Sequence, residues 1–162
     1  MKDFIKEFRN VLQESETRLQ EISEVDSAKR QSPGKWSARE VVGHLIDSAI
    51  NNHRRFVNGQ LADKLVFSGY DQDKWVALQQ YQDEAWHNLI ALWKSLNLHI
   101  VHVVEQIPPA ALAKPHSVHN FDKIAWKTVD KETPVTLEYL IRDYLAHMQH
   151  HLNQIYKAAI GR

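Results

Sequence analysis

Four long amphipathic segments, parted by clustered chain breakers, predict an all-α protein: a four-helix bundle with a long irregular connection between its third and fourth helices. Gly and Pro number only five each in 162 residues. They gather at Pro33-Gly34, Gly59, Gly69, Pro108-Pro109, Pro115 and Pro134, which marks loops. Between these points apolar residues recur at three- and four-residue spacing, the period of a helix with one buried face. The chain is 43% apolar and 25% charged, an ordinary globular composition. Its length fits one domain spanning residues 1–162.

The first helix is expected from about Asp3 to Glu24, with Phe4, Phe8, Leu12, Leu19 and Ile22 on one face and Val11 beside them. SAKRQSPGKW then reads as a polar connector. Ser37 followed three residues later by Glu40 is a capping box, and it starts a second helix running to about Val57. Its stripe is Val41, Leu45, Ala49, Asn52 and Phe56. A loop of residues 58–70 leads to a third helical stretch, which starts near Asp71 or Asp73 and ends before Pro108. A break is expected near Tyr81-Gln82, with Asp83 capping the second piece. There Trp86, Leu89, Ile90, Trp93, Leu96, Ile100, Val103 and Val104 keep the period. From Pro108 to Pro134 the period is lost. PPAALAKP has room for one helical turn, and HSVHNFDKIAWKTVD reads as a short hairpin or an ordered loop. Thr136 is placed to cap the last helix, which runs to about Ala159 before Gly161.

Twenty Lys and Arg balance 20 Asp and Glu. A general nucleic-acid partner is not expected, because phosphate binding needs a basic face. The chain has no Cys, which excludes disulfides, thiolate metal sites and a cysteine nucleophile. MKDFIKEFRN lacks the apolar core of a signal peptide. No apolar run approaches the roughly 20 residues that span a bilayer. A cytoplasmic protein without membrane contact is the expectation.

The chain carries ten His. In DYLAHMQHHLNQI, His147 and His151 stand four apart, one above the other on a single helix face. Neutral imidazoles at that spacing can converge on one cation. Both lie at the edge of the stripe made by Leu137, Leu140, Ile141, Tyr144, Met148, Ile155 and Ala158, whereas His150 points away as a rim residue. A third ligand must come from another helix, and His44 is the best placed. It sits mid-helix at the margin of an apolar stripe, where an unpaired imidazole would be costly. His53 faces the other way, His87, His99 and His102 read as surface or edge residues, and His116 and His119 lie in the irregular connection, within possible reach of a site mouth. Glu40, Asp47, Asn51 and Gln154 are near the ligand helices as a fourth ligand, as partners of the imidazoles or, more simply, as hydrogen-bonding groups on the bundle surface. Trp36, Tyr144 and the loop before the third helix are candidate pocket walls. No GxSxG, Walker, GxGxxG or HExxH motif is present.

PGKWSAREVVGHLIDS, GYDQDKWV and LEYLIRDYLAHMQHHLNQI together resemble the DinB-like superfamily of metal-binding helical bundles, over nearly the whole chain. The resemblance implies an up-down-down-up bundle, commonly a homodimer, with a metal site of three His on helices two and four. Those positions correspond to His44, His147 and His151, while His150 matches no ligand position. It further implies Zn or Ni as the metal and a small-molecule substrate. Relatives include S-transferases that use low-molecular-weight thiols such as bacillithiol or mycothiol, and others regarded as metal-dependent hydrolases. The sequence-level expectation is therefore a metal-dependent thiol S-transferase acting on small electrophiles. Hydrolysis by metal-bound hydroxide, or a non-enzymatic stress-associated metal-binding module, are the alternatives.

Overall fold

The computed structural model describes residues 1–160. Four long helices form the body: α1 (Lys2–Gln20), α3 (Ala38–Gly59), α5 (Trp86–Gln106) and α8 (Leu137–Ile160). Four short ones lie in the connections: α2 (Glu24–Ser27), α4 (Gln72–Gln79), α6 (Pro109–Ala113) and α7 (Phe121–Ile124), with a 3-10 turn at Tyr81–Asp83. Among the described residues no helix is long and apolar enough to cross a membrane.

Cross-helix contacts set the direction of each helix. Arg9 pairs with Glu105, Lys94 with Glu16, and Trp86 Nε1 donates to Leu19 O, so α1 and α5 are antiparallel. Arg142 stacks on Phe4 and Arg18 on Tyr156, so α1 and α8 are parallel. His44 meets His151 and Phe56 meets Tyr144, which makes α3 antiparallel to α8. Arg39 donates to Glu84 O and His53 lies against His99, so α3 and α5 run side by side in the same direction. Parallel neighbours cannot be joined by a tight turn, which is why residues 60–85 form a long crossover carrying α4 and the 3-10 turn.

Tyr144 is the point where all four helices meet. Its ring packs against Phe8 of α1 and Phe56 of α3, and its hydroxyl donates to Asn97 Oδ1 of α5 at 2.5 Å. Besides lining a cavity, Tyr144 is thus a core residue.

Local chemistry explains most boundaries. The Ser37–Glu40 capping box starts α3, and Asp71 caps α4 by accepting from Lys74 N at 3.1 Å. Thr136 Oγ1 accepts from Tyr139 N at 3.1 Å in the first turn of α8. Two boundaries differ from expectation. α1 ends at Gln20, because Ser23 breaks the helix to cap α2, its side chain accepting from Asp26 N. Asp83 does not cap α5. The helix starts at Trp86, and Glu24 from the other side of the chain receives Trp86 N on both carboxylate oxygens at 3.2 Å. That long-range cap could not be read from local spacing. Glu24 also holds the buried Arg39, which ties the starts of α3 and α5 together. Residues 108–134 form an ordered connection that carries α6, the expected helical turn, and α7, a turn of helix where a hairpin or loop is expected, and two isolated bridges, Leu65–His119 and His116–Val135, fasten it. Gly161, expected to end α8, lies outside the described residues.

Candidate metal centre

The capping box sets α3 two turns ahead of His44, and the Thr136 cap sets α8 ahead of His147 and His151. The antiparallel packing of these helices then brings the three rings together. Ring centroids of His44 lie 4.7 Å from His151 and 5.2 Å from His147, and His147 is 4.5 Å from His151. His44 Nε2 is 3.3 Å from His147 Nε2. One ring nitrogen from each of the three lies within 4.8 Å of the others.

The donor set fits a divalent cation of the zinc type. Tetrahedral Zn–N bonds of about 2.0–2.1 Å place neighbouring ligand nitrogens roughly 3.3 Å apart, the spacing of the His44 and His147 pair. His44 is 1% exposed and its Nδ1 has no hydrogen-bond partner, so Nε2 carries all the compensation for burying the ring. Burial, then the facing imidazole of His151, lowers the His44 pKa to about 4. Burial and three neighbouring imidazoles lower His147 to about 3, and burial lowers His151 as well. At neutral pH the rings are therefore uncharged, the form that ligates a metal.

Gln154 orients the cluster from outside. His151 Nδ1 lies 2.9 Å from Gln154 Oε1, which makes Nδ1 the protonated nitrogen and leaves Nε2 with its lone pair. The Gln154 amide nitrogen in turn reaches His150 Nε2 at 2.9 Å. His150 is exposed, as its position on the helical wheel predicted. Trp36 lies 5.2 Å from the His44 ring on one side. Trp126, which the sequence did not single out, sits 6.2 Å from His147 and 5.2 Å from His150 on the other.

The remaining candidates have structural roles. Glu40 is buried, closes the capping box and pairs with Arg30. Asn51 donates to Asp47 O within its own helix. Asp47 is fully buried and not on the bundle surface; Oδ1 accepts from Tyr81 OH at 2.7 Å and from Gln79 Nε2. Gly43 makes that arrangement possible: a Cβ there would fall inside the Tyr81 ring. A glycine beside a helical histidine was the available signal for such a close approach. His116 and His119 are not at the site mouth. His116 Nδ1 contacts Asp63 O at 3.1 Å and His119 Nε2 contacts Thr133 O at 2.9 Å, so both fasten the long connection. His53, His99 and His102 form a separate row across α3 and α5.

Fold and site define a helical bundle with three neutral imidazoles gathered from its second and fourth long helices. The DinB superfamily model matches residues 7–155, and the chain belongs to that superfamily. A Bacillus mycoides (strain KBAB4) protein named as a candidate metal-dependent hydrolase is 28% identical over 96 residues. That match covers 57% of this chain and 55% of the relative, so the chain spans about half the relative's length. The structure of YfiT from Bacillus subtilis, described as a probable metal-dependent hydrolase with an unusual four-helix bundle topology, superposes with a TM-score of 0.76 at 20% identity. The superposition covers 98% of this chain and 87% of YfiT, and at that identity it speaks to the fold.

Proposed function

We propose that His44, His147 and His151 bind one divalent cation, Zn²⁺ or Ni²⁺, and that the protein is a metal-dependent hydrolase of small molecules. The convergence of the three imidazoles carries this reading. Nitrogen donors suit these metals better than Mg²⁺ or Ca²⁺, and three protein ligands leave a position for water or substrate, the pattern of a catalytic site. When bound, such a cation polarises a carbonyl oxygen and lowers the pKa of water. The protein's own residues hold the imidazoles neutral by burial, fix the His151 tautomer through Gln154, and flank the cluster with Trp36 and Trp126. The hydrolase naming of the Bacillus mycoides relative supports hydrolysis over the thiol transfer implied by the family resemblance. Thiol transfer would require an external thiol, because the chain has no Cys.

Elemental analysis of the purified protein and its His44→Ala variant, followed by a panel of activated esters with and without bacillithiol, tests the proposal. About one cation per chain, lost in the variant, and turnover without thiol are expected. Turnover only with thiol and an electrophile replaces hydrolysis by S-transfer. Failure to retain any cation removes both readings.

A further inference from the structure

On α3, His44, Ser48, Asn52 and Arg55 follow one another at spacings of four, four and three, and so share one helix face. With His147 and Tyr70 they line a cavity of about 250 Å³, just below the usual range for ligand pockets and so suited to a small molecule. Thus one wall runs from an imidazole of the metal cluster to a guanidinium. Helical side chains lean toward the N-terminus of their helix, which carries Arg55 back toward His44.

Arg55 is only 7% exposed. Its guanidinium has five N–H donors, and its hydrogen bonds go to two neutral acceptors, Asn52 Oδ1 at 3.3 Å and Ser68 O at 3.1 Å. No carboxylate pairs with it among the described residues. Asp143 lines the same cavity, but its two oxygens accept from Trp126 N at 2.8 Å and Lys127 N at 2.9 Å, and it forms no ion pair with Arg55. Lys123, also at the lining, adds positive charge. A buried cation without a counterion is costly. Here it is held rigid by Ser68 and Asn52 with donors to spare.

We propose that Arg55 anchors a carboxylate on the substrate, so that the protein acts on small carboxylic acids whose reactive group lies toward His44 and His147. This subsite presupposes the enzyme proposed for the imidazole cluster. The planar fork of Arg matches a carboxylate with two parallel hydrogen bonds, and its fixed position spares the ordering cost of binding. Tyr70, whose pKa burial pushes up to about 12, stays protonated beside it as a further donor.

Calorimetric titration of glutarate into metal-free protein tests the anchor without recourse to activity. Glutarate should bind the native protein, roughly ten- to a hundredfold more weakly to Arg55→Gln, and with intermediate affinity to Arg55→Lys, which keeps charge but loses the fork. In metal-loaded protein, mono-4-nitrophenyl glutarate should be preferred to the neutral 4-nitrophenyl butyrate, and Arg55→Gln should abolish the preference in kcat/KM. Circular dichroism checks that each variant folds. If Arg55→Gln does not fold, the loss in Arg55→Lys decides. No glutarate binding to the native protein, or equal binding to the variants, overturns the anchor. Cation binding without glutarate binding removes the subsite alone. Glutarate binding without cation binding removes the metal-enzyme reading and leaves the anion site standing.

Discussion

Gln154 Oε1 lies 2.9 Å from His151 Nδ1, one turn further along α8, and so selects which nitrogen of that imidazole faces the cluster. Groups that hold a ligand's far nitrogen typically set metal affinity by ten- to a hundredfold. Gln154→Ala should weaken Zn²⁺ binding by about that factor with little change in fold, whereas Gln154→Glu, which keeps an acceptor, should retain most of it. Competition against a chromophoric chelator measures both.

The metal-free protein should lose stability in acid. His44 has an ordinary pKa near 6.5 when unfolded and about 4 when folded. Between those values the unfolded chain binds more protons, so stability falls as pH drops through the window and levels off below it. His147, lowered to about 3, extends the decline. Urea midpoints measured from about pH 7 to pH 4 should fall more steeply for the native protein than for His44→Asn, which lacks the group. Parallel slopes would remove His44 as a cause.

Chelation should lower thermal stability. A ligand that binds only the folded state adds about 2.7 kcal/mol when present at 100 times its Kd. Zn²⁺ or Ni²⁺ should therefore raise the Tm of the stripped protein, and EDTA should reverse the rise. His147→Ala should leave the Tm insensitive to either addition, as scanning calorimetry would show.

Gly43→Ala should destabilise the protein by about 1–3 kcal/mol, the usual cost of forcing a group into filled space. The new methyl collides with the Tyr81 ring, whose hydroxyl donates to buried Asp47. Denaturant melts would show the loss. Tyr81→Phe does not relieve the clash, because the ring remains; Tyr81→Ala is itself destabilised by the lost ring and the unpaired Asp47, and adding Gly43→Ala to it should cost less than adding Gly43→Ala to the native protein.

Helix period and capping chemistry are local properties, and residues that express them were legible without coordinates. The capping box at Ser37 and Glu40, the Thr136 cap and the α3 stripe are all observed, and of the two helix starts open at Asp71 and Asp73 the structure takes Asp71. So is the shared face of His147 and His151, because four residues nearly complete a helical turn whatever surrounds it. Even the choice of His44 had a local basis, an imidazole set in an apolar margin.

Pairing across the bundle had no such basis. Glu24 capping α5, Asp47 buried beneath Tyr81 and His116 fastening the connection depend on segments dozens of residues apart, and His119 depends on Thr133 fourteen residues further on. The unpaired Arg55 is of the same kind: a sequence displays its charge, but whether a carboxylate lies opposite depends on how α3, the crossover and α8 dock. Periodicity specifies which face of a helix turns inward; the packing of helices against one another specifies what that face meets.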